Sequence, residues 1–235
     1  MLDMLLRGDF NITSAAAYLI SSLFIIFLVL PIHEAAHAFT AVKLGDMTPK
    51  YSGRLSLNPF AHIDYLGSIL IILFGFGWAK PVPINSRNFK NPKGGMALTA
   101  LAGPVSNLLV GFVFSFLYNL FYWAVFHSQI TINSTVMYFI FYLLIYIVQI
   151  NIYLAVFNLI PVPPLDGSRL LTAILPDRVY YSIMRYERLL MIFVLVLCYT
   201  GILSGPLSRF TSSIMVWFIK ITSLPFGGAA SSFLV

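Results

Sequence analysis

The first residues whose types and spacing could do chemistry are His33-Glu34-Ala35-Ala36-His37. On a helix, positions i and i+4 share one face, so His33 and His37 can present two imidazole nitrogens to a single metal ion. Glu34, offset by one residue, can reach a water beside that ion and take its proton. The chain holds only four histidines and two glutamates in 235 residues, and at this composition chance produces the pattern roughly once in two thousand. A catalytic zinc needs three protein ligands. One is therefore missing from the motif.

Composition says what must position these groups. Hydrophobic residues make up 59% of the chain, charged residues 9%, and the mean hydropathy is +0.89, whereas soluble domains carry about 25% charged residues. The expectation is an all-α polytopic membrane protein. The net charge of +6 could suggest a nucleic-acid partner, but the basic residues sit in short connectors between apolar spans, where cytoplasm and anionic lipid account for them. No nucleic acid is expected. Cys198 is the only cysteine, which excludes a disulfide framework and a cysteine-based zinc cage. Asp3 and Asp9 interrupt the basic start that a cleavable signal peptide needs, and the apolar run continues to Leu30.

Five to six transmembrane or re-entrant helical segments are expected over a single domain, 1–235, with a catalytic core at about 11–175 and C-terminal helices at about 189–224. The first span starts at Asn11 or Ser14, either of which can cap it, and stops at Gly45-Asp46. Pro31 within it is either an ordinary kink or an opening of the helix to water. Residues 46–65 are polar with turn signals, so a short hairpin or irregular loop fits. Leu66 to Phe76 is apolar but too short to span. A basic connector to Gly95 follows, then long spans from Met96 to Phe126 and from Val136 to Ile160. Pro161, Pro163 and Pro164 break the latter. A helical stretch resumes from Ser168 to Leu175, and two apolar stretches, Leu189–Leu203 and Phe210–Leu224, follow a charged connector.

Lys and Arg orient the bundle. The 43–93 connector holds seven, 127–135 none and 176–188 three, which puts the first and last of these on the cytoplasmic side. His33 stands ten residues before Lys43, hence roughly 15 Å below that surface at 1.5 Å per residue. Asp166 stands ten residues before the connector at Pro176, at a similar depth if 168–175 is helical. The other acids and histidines lie in connectors or at span ends, so Asp166 is the acid able to meet His33 and His37 inside the membrane. Its alternative role is that of an N-cap for the resumed helix.

HEAAH in an early span, AGPVSN at 102–107 and NLIPVPPLDGSRLL at 158–171 resemble the site-2 protease family of intramembrane zinc metalloproteases. The resemblance covers about residues 30–175. It implies one Zn2+ held by His33, His37 and Asp166, Glu34 as general base, and a transmembrane protein as substrate. It also implies a short re-entrant β element around Tyr51 to Leu57, and a substrate-binding amide at Asn158 that could equally be a helix-to-helix hydrogen bond. The chain has no room for the PDZ or regulatory domain of several relatives. Gly103, Asn107 and Gly111, at four-residue spacing, serve either catalysis, with Asn107 a second substrate-binding amide, or close helix packing.

The function expected is therefore hydrolysis of peptide bonds in membrane proteins, as in regulated intramembrane proteolysis, in the cell membrane with the site opening toward the cytoplasm. A membrane transporter, or an inactive relative using the same polar pocket, is the alternative. A di-iron oxygenase would need more histidines than four.

Overall fold

A computed structural model describes residues 11–74, 77–127 and 132–228. The described chain is helical, with no strand. Among the described residues, three helices are long and apolar enough to cross a membrane: α1 (Ile12–Lys43), α3 (Pro92–His127) and α4 (Ser134–Asn158). Between α1 and α3 lies the ten-residue α2 (Tyr65–Phe74). After α4 come α5 (Asp166–Ile174), α6 (Asp177–Met184), α7 (Glu187–Tyr199) and α8 (Ser204–Ser223). Residues 75–76, at the end of the expected short apolar segment, and 128–131 of the uncharged connector lie outside the described residues.

Asn11, not Ser14, caps α1: its side chain accepts from the backbone N–H groups of Thr13 and Ser14 at 2.8 and 3.4 Å. In mid-course α1 widens into a π-helical turn, Ile25–Val29, just before Pro31. Proline brings no N–H to the ladder, and a π turn is a common adjustment of a helix at a functional site. The HEAAH residues follow on the next turns, on a face that α3 covers. α4 packs against α1 and α3, and α8 against α3 and α4. Ile25, Val29, Ile71, Ile150 and Leu154 form a buried cluster between α1, α2 and α4. Asn119 ties α3 to α8 by donating to the Ile219 carbonyl at 2.9 Å and to Thr222 Oγ1 at 2.7 Å. In a lipid setting such polar bonds hold helices together where apolar contact alone gives no advantage over lipid.

The β element expected around Tyr51 to Leu57 is not formed. Thr48–Tyr51 is a single helical turn started by Pro49, and Asn58 caps a 3-10 turn at Pro59–Ala61 through the Phe60 N–H. Arg54 bends this loop onto itself by donating to the Ala61 carbonyl. A stretch so interrupted by turn signals cannot hold the register a ladder needs.

A segment without regular secondary structure follows, in residues 77–85, and three bonds hold it in place. Lys80 N–H donates to the His62 carbonyl at 2.7 Å, Val82 N–H to Glu34 Oε2 at 3.2 Å, and Asn85 N–H to Asp46 Oδ2 at 2.7 Å. Asp46, just past the end of α1, also accepts from Thr48 and from the Asn88 amide. Burial pushes the Asp46 carboxyl upward, but hydrogen bonds, foremost that of Thr48, outweigh it and hold the group below the usual carboxylate range.

Candidate metal centre

His33 and His37 lie one turn apart on α1, both nearly inaccessible at 4% and 3% exposure. Across from them the chain leaves α4 at Asn158, turns through the proline-rich residues 159–165 and enters α5 at Asp166. Gly167 makes this turn feasible, because a Cβ there would stand 2.3 Å from the Leu159 carbonyl oxygen and 2.5 Å from that of Ile160. The start of α5 is thus packed directly on the end of α4. The N-cap position is Leu165, which offers no side-chain bond. Asp166 is the first residue inside the helix, and its carboxylate turns to the histidines, which removes the capping role from consideration.

The three donor atoms form a small triangle. His33 Nε2 and His37 Nε2 are 3.0 Å apart, and Asp166 Oδ2 stands 3.1 and 3.2 Å from them. Donors at about 2.0–2.2 Å around a tetrahedral zinc stand roughly 3.3 Å apart, so the triangle needs only slight opening. The tautomer agrees. His37 Nδ1–H donates to the Thr99 carbonyl of α3 at 2.7 Å, and a carbonyl can only accept, so in the neutral ring Nε2 is left with a bare lone pair. This is the histidine–carbonyl pairing that orients metal ligands. Two buried imidazole nitrogens and one partly buried carboxylate oxygen, facing one another, suit zinc. These three residues fit the ion.

Glu34 projects beside them, 8% exposed, onto the same cavity of about 240 Å³. Trp78 and Val82 of the 77–85 segment line the cavity, together with Leu154, Phe157 and Val194. Asn158 and Arg169 also line it. Asn107 does not share this position: it is fully buried on α3, and neither its amide nitrogen nor its oxygen has a hydrogen-bond partner among the described residues. His62 is buried in the loop after α1, donating from Nε2 to the Ser56 carbonyl at 2.8 Å, and His127 stacks on Trp123 at the far end of α3. Both lie apart from the centre.

Sequence reasoning read 77–85 only as part of a basic connector and missed its bond to Glu34, and it missed the Thr99 carbonyl. Pro81-Val82-Pro83 was the available signal for the first, since alternating prolines keep the backbone out of helix. A backbone acceptor such as Thr99 O leaves no trace in residue type.

Two histidines, an aspartate and the Glu34 carboxylate around one cavity among membrane-length helices form a candidate metal-dependent hydrolase site of the HExxH kind. The sequence pattern of peptidase family M50 matches residues 21–200, and the chain belongs to that family. It is 42% identical to YwhC of Bacillus subtilis, named as a candidate zinc metalloprotease, over 80% of this chain and 82% of that protein. Identity to Rip2 of Mycolicibacterium smegmatis, named in the same way, is 26% over 87% of this chain and 72% of that protein. A third protein so named, from Methanocaldococcus jannaschii, is 29% identical over 59% of this chain and 62% of its own length. No solved structure matches the chain significantly.

Proposed function

We propose that the protein is an intramembrane zinc metalloendopeptidase that cuts transmembrane or membrane-associated protein substrates. The observation that carries this reading is the convergence of His33 Nε2, His37 Nε2 and Asp166 Oδ2 within hydrogen-bond distance of one another, on a cavity that Glu34 also faces. The three residues would hold one zinc per chain. The ion supplies Lewis acidity, polarising a carbonyl and lowering the pKa of a nearby water toward about 7.

The chain's own residues do the rest. Val82 N–H holds Glu34 through Oε2, which fixes the carboxylate in the cavity and leaves Oε1 to take the proton of the attacking water and to return it to the leaving amine. Thr99 keeps the His37 ring in one tautomer. Leu154, Phe157 and Val194 give the cavity an apolar lining suited to the side chains of a membrane segment. A helix hides its carbonyls in its own hydrogen bonds, so a substrate must unwind locally before one of them enters. Asn158 lines the cavity, which supports its reading as the amide that receives the freed backbone of such a segment.

The test is cleavage of a transmembrane peptide by purified protein in liposomes. Zinc-loaded enzyme should cut it, a strong chelator should stop cleavage, and zinc should restore it. Cleavage that persists after complete removal of metal would contradict the reading.

The reading extends to topology. α7 and α8 complete a bundle of five to six membrane segments around a catalytic core at about 11–175. The 43–93 connector, with seven of the fourteen basic residues, faces the cytoplasm, the cavity opens to that side, and the host is the cell membrane, where cleavage serves regulated intramembrane proteolysis. With Cys198 replaced, a cysteine at position 131 should react with an impermeant reagent added outside cells, and one at 87 should not. The reverse pattern would invert the orientation.

A further inference from the structure

We infer that Gly103 is a positioning residue of the metal centre, the wall of α3 that leaves room for the ion between the two histidines; this rests on the zinc reading above. Gly103 lies one helical turn beyond Thr99, so the two share the face of α3 that is packed on α1. A Cβ built on Gly103 would stand 2.3 Å from His37 Nε2 and 2.5 Å from both Nε2 and Cε1 of His33. These are not general packing atoms. Two of the three are the proposed donor atoms themselves.

The kind of atom that would have to yield decides the consequence. Where a Cβ meets backbone, a helix must shift, and the fold suffers. Here it meets the far ends of two imidazoles, which can swing away by rotating about their side-chain bonds. The fold can absorb that change, but the metal site cannot. Metal–ligand distances tolerate only about ±0.2 Å, and His37 is further tethered through Nδ1 to Thr99, so its Nε2 cannot retreat without breaking that bond. Thr99 and Gly103 thus act together: the carbonyl aims one ligand, and the absent side chain keeps the space in front of it free.

Gly111, two turns further along the same helix, provides the contrast. A Cβ there would meet Ile152 Cγ1 at 3.4 Å and Asn151 Cβ at 3.6 Å, ordinary contact with α4. The small-residue stripe read in the sequence therefore divides in two. Gly111 serves helix packing, and Gly103 serves the ion.

The experiment compares zinc affinity and metal-free stability of the purified full chain for wild type, Gly103→Ala and Gly111→Ala. Wild type and Gly111→Ala should bind zinc alike. Gly103→Ala should bind it about 10–100-fold more weakly, in the range seen when a residue orienting a ligand is lost, while its circular dichroism and thermal transition in chelator match those of metal-free wild type. Equal zinc affinity of Gly103→Ala and wild type would overturn the inference while leaving the zinc reading intact. Absence of zinc binding by wild type would instead overturn the zinc reading on which it rests. If Gly103→Ala does not fold, the triple variant His33→Ala/His37→Ala/Gly103→Ala decides. Removal of both imidazoles should restore folding to the level of His33→Ala/His37→Ala, and failure to do so would show that Gly103 is needed for packing and not for the ion.

Discussion

Glu34→Gln should keep its zinc and lose about 10²–10⁴-fold in cleavage rate, the span usual for removal of a general acid–base group. The substitution isolates the proton from the shape. Glutamine has the size of glutamate, and its side-chain oxygen can still accept from Val82 N–H, as Glu34 Oε2 does at 3.2 Å. Its other terminal atom is an amide nitrogen, which donates and cannot take a proton from the attacking water. None of the three donor atoms is touched, so metal content should stay at the wild-type level. Cleavage of a model transmembrane substrate at near wild-type rate would remove Glu34 from the role of general base.

Asp166→Asn should lose zinc as well as activity. The carboxylate oxygen that stands 3.1 and 3.2 Å from the two imidazole nitrogens is the only charged donor of the set. An amide oxygen in its place is a weaker donor, and the negative charge that offsets a 2+ ion in a buried site is gone. Zinc affinity should fall by more than about 100-fold, beyond the range seen for residues that merely orient a ligand. Folding should survive, because Asp166 does not cap α5 and asparagine retains the shape. If the residue were only a helix cap the same substitution would be nearly silent, since Asn caps about as well as Asp. Zinc content and turnover both at wild-type level would refute the ligand role.

The metal centre was legible in the sequence to the degree that helical geometry and membrane depth determine it. The i, i+4 spacing puts His33 and His37 on one face whatever surrounds them. Charge at the span ends sets a depth scale, and among the acids that scale admits Asp166. Groups that act through backbone or through absence were not legible. Val82 contributes an N–H and Thr99 a C=O, and every residue has those. Gly103 contributes missing volume, which reads the same in a sequence whether it admits a neighbouring helix or an ion; only the atoms facing it tell the two apart. The strand expected near the centre is not formed among the described residues. Tyr51 to Leu57 carries β-forming residues, yet Pro49, Gly53 and Asn58-Pro59 close it into turns. The Pro81-Val82-Pro83 stretch, read only as a basic connector, is kept out of helix by its prolines and bonded to Glu34. Helix limits fared better: α4 ends at Asn158, two residues short of the expectation, because the proline run constrains the backbone ahead of it as well as within it.

The central claim, that His33, His37 and Asp166 hold one catalytic zinc, is tested most directly by the metal content of the purified protein measured side by side for wild type and Asp166→Asn. The account predicts about one zinc per chain in the wild type and little in the variant at equal purity and equal helical content. A wild type without zinc, or an Asp166→Asn protein with as much zinc as the wild type, would contradict it.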